Sequence, residues 1–180
     1  MSWLARFFRA FILLGALMLG LLALYQYRLP PAPTLPLPPI SGQIDRILVE
    51  KSARRLTVYR DGEALRTYRV ALGFSPRGDK VRQGDGKTPE GVFRINRRNA
   101  ASAFHLSLGI DYPQKAHVIR ARSGGHAPGG DIFIHGQPNA FVGKPTLRRD
   151  WTAGCIAVSD SEIEELWRIT PMGTVVEIRA

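Results

Sequence analysis

The apolar positions of this chain follow two different patterns. An uncharged run covers residues 10–25, with Arg6 and Arg9 before it and Arg28 after it. After residue 40 the apolar residues come in short runs, several of them alternating with polar residues, and these runs are separated by turns rich in glycine and polar residues. The first pattern predicts one long helix, and the second predicts a domain built mostly of strands.

The second region contains eight predicted strands and one predicted helix. Asp61-Gly62 supplies the positive-φ turn of a hairpin, and Ser159 with Glu162 forms a capping-box pattern that predicts a short helix ending before Pro171. No internal repeat is found, so we expect a mostly antiparallel β-sandwich or barrel with one short helix. The predicted strands cover residues 45–50, 55–60, 65–72, 91–95, 104–108, 131–135, 155–158 and 173–178.

The N-terminal apolar run has the character of a signal anchor. Its 16 residues are a little fewer than the ~20 that cross a bilayer comfortably, but Trp3, Phe7 and Phe8 as interfacial neighbours would extend it. Residues 24–27 lack the small residues of a signal-peptidase site, which favours an uncleaved anchor over a removed signal peptide. The positive-inside rule predicts that residues 1–28 form a cytoplasmic tip and transmembrane helix, with the remainder translocated.

A linker and one domain follow this helix. Residues 29–40 contain six prolines, which favour an extended polyproline II spacer. Residues 41–180 form one domain of 140 residues with 22 basic and 15 acidic side chains, a net charge of +7. The basic residues lack the interleaved aromatic residues that stack on bases. We therefore expect anionic cell-envelope material as the partner and no nucleic acid, with a merely solvated basic face as the alternative.

The candidate chemistry lies in a single cysteine and a histidine. Cys155 is the only cysteine, and an exported chain with one thiol has no internal disulfide to make. His135 ends another strand-like run, and a histidine can take a thiol proton and later return it to a leaving amine. An inert buried thiol is one alternative. A zinc site built from His126, Asp131, His135 and Cys155 is another, although these spacings match no compact ligand pattern.

The backbone around Cys155 favours catalysis. Gly154, directly before the thiol, lets the chain turn so that amide groups point at a developing oxyanion. We expect the N–H of Cys155 to donate there, together with that of Gly154 or Ala153. No acidic or amide partner for His135 is evident, so a backbone carbonyl such as that of Gly136 would orient the imidazole.

These residues resemble the L,D-transpeptidase catalytic domain, the YkuD-type family. The family pattern is His-Gly, a loop, then Ser/Thr-His-Gly-Cys and an apolar strand. His135-Gly136 and residues 152–155 fit this pattern, with residues 136–151 between them. The similarity extends over most of residues 43–179. It includes an opening hairpin, a Thr-Pro-x-Gly-x-Phe-like segment and a Tyr-Pro stretch, at residues 47–73, 87–95 and 108–113.

The resemblance implies a reaction on peptidoglycan. The cysteine would attack the carbonyl at the L-centre of the third stem residue, usually diaminopimelate, and terminal D-Ala would leave. An amine would then resolve the thioester, giving a 3-3 crosslink or an attachment to protein. No metal or organic cofactor is implied, and we expect a monomer. Gly136, Thr152, Ala153 and Gly154 would shape the site, and the candidate substrate-binding residues are Tyr112, His126, Arg148 and Arg149.

Two positions depart from the family pattern. Ala153 replaces the second histidine, and Ala157 replaces the arginine or asparagine common two residues after the cysteine. Loss of a polar side chain at position 157 would alter how a substrate carboxylate is held. Two alternatives therefore stay open: a cysteine hydrolase of the same fold, acting as an L,D-carboxypeptidase or as an amidase on diaminopimelate linkages, and a wall-binding module that has lost catalysis.

Overall fold

A computed structural model of the protein describes residues 3–28 and 37–180. The chain divides into two compact units, Met1–Pro38 and Pro39–Ala180. In the first unit, helix α1 (Trp3–Arg28) contains Phe7–Tyr25, a 19-residue stretch with mean hydropathy 2.3. By length and composition this stretch is able to cross a membrane, and a signal sequence near an N-terminus has the same properties. Most of the predicted proline-rich spacer, residues 29–36, lies outside the described residues.

Eight strands form one mixed sheet in the second unit. Their order across the sheet is β3-β2-β1-β8-β4-β5-β6-β7. The pairs β1–β8 and β6–β7 are parallel, and the other neighbouring pairs are antiparallel. The strands are β1 (Arg46–Glu50), β2 (Arg55–Arg60), β3 (Glu63–Arg69), β4 (Gly91–Ser102), β5 (His105–Ile110), β6 (Phe133–His135), β7 (Ile156–Ala157) and β8 (Val175–Arg179).

The two edges of this sheet are joined by the chain that follows β3. Ala71 pairs with Ala157 of β7 through two backbone hydrogen bonds of 2.8 and 2.9 Å, and Gly73 pairs with Thr152. The predicted mostly β fold is therefore confirmed. Its core is formed by buried aliphatic side chains with Phe93, Tyr68 and Tyr112. The predicted β2–β3 turn is also present, since Asp61 and Gly62 have φ values of 51° and 81°.

The domain contains two α-helices, one more than the sequence predicted. Helix α3 (Asp160–Ile169) begins with the predicted capping box: the Ser159 hydroxyl accepts from the Glu162 amide, and the Glu162 carboxylate accepts from the Ser159 amide. It packs against β5 and β6. Helix α2 (Lys115–Ser123) was not predicted because it buries only Ala121 and so has no apolar stripe. A short 3-10 turn, Asn139–Phe141, lies in the loop after β6.

Candidate active site

The parallel pair β6–β7 places His135 and Cys155 on the same face of the sheet. Ile134 is opposite Ile156, and both are fully buried in the core. Because successive side chains of a strand point to opposite faces, the residues flanking these isoleucines face away from that core. His135 and Cys155 accordingly line one cavity of about 280 Å³, which we call the thiol cavity. Its remaining walls are Asn99, Ser102, Ala103, Phe104, Ser107, Asp131 and Phe133.

The imidazole of His135 is held in one orientation. Its Nδ1 lies 2.7 Å from the carbonyl oxygen of Gly136, and since a carbonyl only accepts, Nδ1 carries the proton. Phe104 and Trp151 pack against the ring at centroid distances of 4.6 and 5.6 Å. His135 is only 2% exposed, and this burial lowers its pKa against the opposing effect of the Gly136 hydrogen bond. The ring is therefore neutral at neutral pH, with Nε2 free to accept a proton.

Cys155 is a protonated thiol in the resting site. The side chain is partly buried, and Sγ donates to the carbonyl oxygen of Asp131 at 3.4 Å. Burial raises the pKa of the thiol, and the Asp131 carboxylate raises it further. A backbone hydrogen bond at Phe133 and the charge of Lys80 oppose this shift without reversing it. The thiol therefore needs a base to become a nucleophile at neutral pH.

The turn before Cys155 is fixed by the buried hydroxyl of Thr152. Thr152 Oγ1 donates to the carbonyl oxygen of Cys155 at 2.7 Å and accepts from the amide of Gly154 at 3.1 Å. Gly154 has φ of 144°, and a Cβ there would lie 2.7 Å from the carbonyl oxygen of Lys87. The turn therefore needs glycine at this position, because an L side chain would be both strained and in collision.

The same turn determines which amides are available to an oxyanion. The N–H of Gly154 is already occupied by Thr152. Within residues 37–180, the amides of Cys155 and Ala153 make no hydrogen bond. Of the two predicted donor pairs, Cys155 with Ala153 is the pair whose N–H groups are free.

Gly136 lets helix α3 approach the histidine strand. A Cβ at this position would lie 2.6 Å from Asp160 Oδ1 and 3.0 Å from Ile163 Cγ2. Asp160 Oδ1 in turn accepts from the amide of Gln137 at 2.7 Å. Glycine is required here for close packing.

A second set of contacts anchors the chain that leads into the turn. Asp150 accepts from the amide of Leu72 at 2.9 Å and from the guanidinium of Arg54 at 2.7 Å. The amides of Trp151 and Thr152 both donate to the carbonyl oxygen of Leu72 at 3.1 Å. Segment 150–152 is therefore fastened to the chain that follows β3.

The four predicted substrate-binding residues do not line the thiol cavity. Tyr112 is a buried core residue whose hydroxyl donates to the carbonyl oxygen of Pro128 at 3.0 Å, and burial raises its pKa to about 12. His126 is exposed beyond α2, and Arg148 and Arg149 are exposed in the loop before Asp150.

The alternative zinc site is not assembled in the described residues. They contain no group of three His, Cys, Asp or Glu side chains that could hold a metal ion.

Several residues at the site were not predicted from the sequence. Phe104 and Trp151 enclose His135, and Ser107 lies directly opposite His135 in the β5–β6 register. Ser107 is buried and lines the thiol cavity, so its hydroxyl is the polar side chain of β5 at the histidine. Period-2 alternation through Leu106 and Leu108 was the only sequence signal for it.

Comparison with solved structures places the fold among known proteins. The helical cell shape determining protein Pgp2 from Campylobacter jejuni shares 25% identity and a TM-score of 0.60, over 77% of this chain and 48% of Pgp2. Bd1075 from Bdellovibrio bacteriovorus shares 23% identity with a TM-score of 0.53, over 77% of this chain and 49% of that one. An L,D-transpeptidase (residues 123-326) from Xylanimonas cellulosilytica shares 17% identity with a TM-score of 0.51, over 81% of this chain and 65% of that one.

The chain thus spans about half the length of the first two of these proteins. Among curated proteins, no sequence matches it. A family model does match: the L,D-transpeptidase catalytic domain, YkuD, over residues 44–178. This match covers nearly the whole second unit and includes both His135 and Cys155. The chain therefore belongs to the L,D-transpeptidase catalytic domain (YkuD) family.

Proposed function

We propose that this protein is an L,D-transpeptidase that acts on peptidoglycan stem peptides through a thioester at Cys155. The observation that carries the proposal is the arrangement in the thiol cavity. The Nδ1–H of His135 is committed to the Gly136 carbonyl, so Nε2 is the free base on the face that Cys155 shares. The family membership supplies the substrate class.

In the acylation step, Nε2 of His135 takes the thiol proton as Sγ attacks the carbonyl of the third stem residue. The free amides of Cys155 and Ala153 are the donors available to the oxyanion that forms. The attack forms the C–S bond, and collapse of the intermediate restores the C=O bond and breaks the C–N bond to D-Ala, which leaves the thioester. His135 returns the proton to the leaving amine.

In the second step the acceptor resolves the thioester. An amine acceptor loses a proton to His135, the new C–N bond forms, and the C–S bond breaks to regenerate the thiol. The product is a 3-3 crosslink or an attachment to protein. If water takes the place of the amine, the same steps make the enzyme an L,D-carboxypeptidase or an amidase.

The predicted chain organisation suits a wall-modifying enzyme tethered to the membrane. In this proposal residues 1–28 form a cytoplasmic tip and a single-pass anchor in the inner membrane, and residues 29–40 are the spacer. Residues 41–180 are the extracytoplasmic catalytic domain. The apolar stretch Phe7–Tyr25 supports the anchor, and the net charge of +7 over residues 41–180 supports work on an anionic wall.

Intact-mass analysis of the full chain after exposure to a carbapenem tests the nucleophile. We expect one adduct on the wild type and none on Cys155→Ala, because Cys155 is the only thiol. An unmodified wild type, or equal modification of the variant, would contradict the cysteine mechanism and favour a wall-binding module.

Digestion of purified muropeptides tests the acceptor. New crosslinked dimers would support transfer to an amine. Shortened or released stems without dimers would show that water is the acceptor, and the hydrolase alternative would then replace the transpeptidase.

A further inference from the structure

A second cavity adjoins the thiol cavity. It has a volume of about 470 Å³, and Lys80, Gln83 and Ala153 are among the residues that line it. We call it the Lys80 cavity. Asp131 lines both cavities, and its carbonyl oxygen accepts from Cys155 Sγ. The Lys80 cavity therefore begins next to the nucleophile.

Lys80 has a donor to spare in this cavity. Its side chain is only 3% exposed, and Nζ donates to Asp85 Oδ1 at 2.8 Å and to the carbonyl oxygen of Arg82 at 3.1 Å. An ammonium group has three N–H donors, and no third acceptor for Nζ is present within residues 37–180. A buried charged donor without a partner is costly unless something else supplies the acceptor.

The other buried lysine shows what a purely structural role looks like. Lys51 Nζ donates to the carbonyl oxygens of Gly78 and Thr88 at 2.7 and 2.9 Å, and to Glu90 Oε1 at 2.8 Å. All three of its donors are used within the protein. Lys80 differs because it lines a large open cavity with one donor left.

Asp85 fixes Lys80 without competing for a ligand. Its Oδ1 accepts from Lys80 Nζ and from the amide of Lys87, and its Oδ2 accepts from the amides of Val81 and Arg82. Burial opposes ionisation of this carboxyl, but these hydrogen bonds outweigh it and lower the pKa of Asp85 to about 2. The carboxylate is thus saturated by donors, and Lys80 is the group of the pair with capacity left.

The charges around the cavity agree with this assignment. Asp131 has a largely exposed carboxylate that pairs with Arg97 at 3.0 Å, so part of its charge is compensated. The charge of Lys80 lowers the pKa of Cys155 against the stronger effect of burial, which means that the ammonium lies within electrostatic reach of the sulfur. The small side chain of Ala153 leaves this space open, where the family's histidine would occupy part of it.

We propose that the Lys80 cavity binds a carboxylate of the stem peptide during acylation, with the third N–H of Lys80 as its charge-assisted donor. This inference rests on the proposed function for its substrate class. The stem peptide that acylates Cys155 has two carboxylates that fit this role. One is the terminal carboxylate of D-Ala, and the other is the side-chain carboxylate of diaminopimelate. A charge-assisted hydrogen bond from Lys80 to either carboxylate would hold the stem peptide close to the bond that is cleaved.

Calorimetric titration of the full chain in detergent, in a Cys155→Ala background, tests the site without chemistry. The probes are the tetrapeptide stem with both carboxylates free and two forms in which one or the other is a carboxamide. Replacing Lys80 by Met should weaken binding of the free acid by about tenfold to a hundredfold. The carboxamide that removes the true ligand should bind equally weakly to both proteins and so identifies the source.

Arg82→Met is the matched control, because it removes an exposed charge from the same loop without touching the cavity. An equal loss in that variant would reduce the effect to general electrostatics and overturn the proposal. Equal affinity of Lys80→Met and its parent for the free acid would overturn it as well. Ala153→His places a larger side chain in the cavity from an exposed position and should also weaken binding of the free acid. An unchanged affinity of this variant for the free acid would count against the site.

The two proposals fail separately. Loss of the carboxylate dependence with carbapenem acylation intact would overturn the Lys80 site and leave the thioester mechanism standing. Carboxylate-dependent binding without any acylation of the wild type would support the Lys80 site and overturn the mechanism.

Discussion

Removing the hydroxyl of Thr152 should loosen the turn that presents the nucleophile. Thr152→Val keeps the shape of the side chain and deletes one donor and one acceptor. The deleted oxygen donates to the carbonyl of Cys155 at 2.7 Å and accepts from the amide of Gly154 at 3.1 Å. Both backbone groups belong to the turn itself, so the change acts directly on the position of Sγ.

The cost follows from the burial of this side chain, which is only 4% exposed. Two hydrogen bonds contribute about 1 kcal/mol each, and a buried amide left without a partner adds about 1–2 kcal/mol. We therefore expect the free energy of unfolding to fall by about 3–4 kcal/mol, which is a large part of the ~5–15 kcal/mol of a typical domain. The acylation rate should fall as well, because the carbonyl of Cys155 is no longer held.

Urea unfolding followed by near-ultraviolet circular dichroism measures the stability, and carbapenem acylation followed by mass spectrometry measures the rate. Thr152→Ser retains the hydroxyl and is the matched control, for which we expect at least half of the stability loss and most of the rate loss to be restored. If Thr152→Val and Thr152→Ser lose the same stability and rate, packing of the methyl group and not the hydroxyl holds the turn, and the reasoning is wrong.

Three further predictions concern the base, its protonation and the glycine before the thiol. His135→Ala should lower the acylation rate about a hundredfold or more, and an unchanged rate in stopped-flow assays would exclude His135 as the base. Burial lowers the pKa of His135. The imidazole therefore stays neutral at pH values just below about 6.5, the ordinary pKa of a histidine. The acylation rate should therefore fall only at more acidic pH, and a decline centred at or above 6.5 would contradict this. Gly154→Ala should reduce both melting temperature and acylation, since its Cβ would lie 2.7 Å from the Lys87 carbonyl. In Gly143→Ala, also at positive φ but with open space around its Cβ, the melting temperature should fall only by the strain of the left-handed backbone, and acylation should be unchanged.

Local sequence signals were sufficient to predict the elements that are defined by residues close together in the chain. The capping box at Ser159 and Glu162 and the turn at Asp61-Gly62 are formed by neighbours in the chain, so their residue types alone predict them. Helix α2 has no such signal. Its N-terminus is capped through Gln114 and His117, and its polar faces give no periodic pattern to detect.

Only the site residues that belong to the sequence motif could be predicted. His135 and Cys155 stand beside glycines in a recognisable order, and the structure places both on one cavity. Lys80 and Ser107 reach the two cavities through loop geometry and strand register, which one sequence does not reveal. The Tyr-Pro motif predicts Tyr112 as a substrate-binding residue, and the structure buries this side chain in the core, where it does not line the thiol cavity.

Strand β7, which directly follows the nucleophile, has backbone partners on both sides. Ala157 is bonded to Ala71 on one side and β7 is paired with β6 on the other, although β7 itself is only two residues long. Such a strand cannot fray without breaking both sets of bonds. The loop of residues 138–147 is held at fewer points: Gln137 bonds to Leu147 and Val158 across its base, and Asn139 bonds to the turn between β4 and β5. A substitution in that loop away from these anchors therefore leaves intact the backbone bonds that fix the position of the thiol.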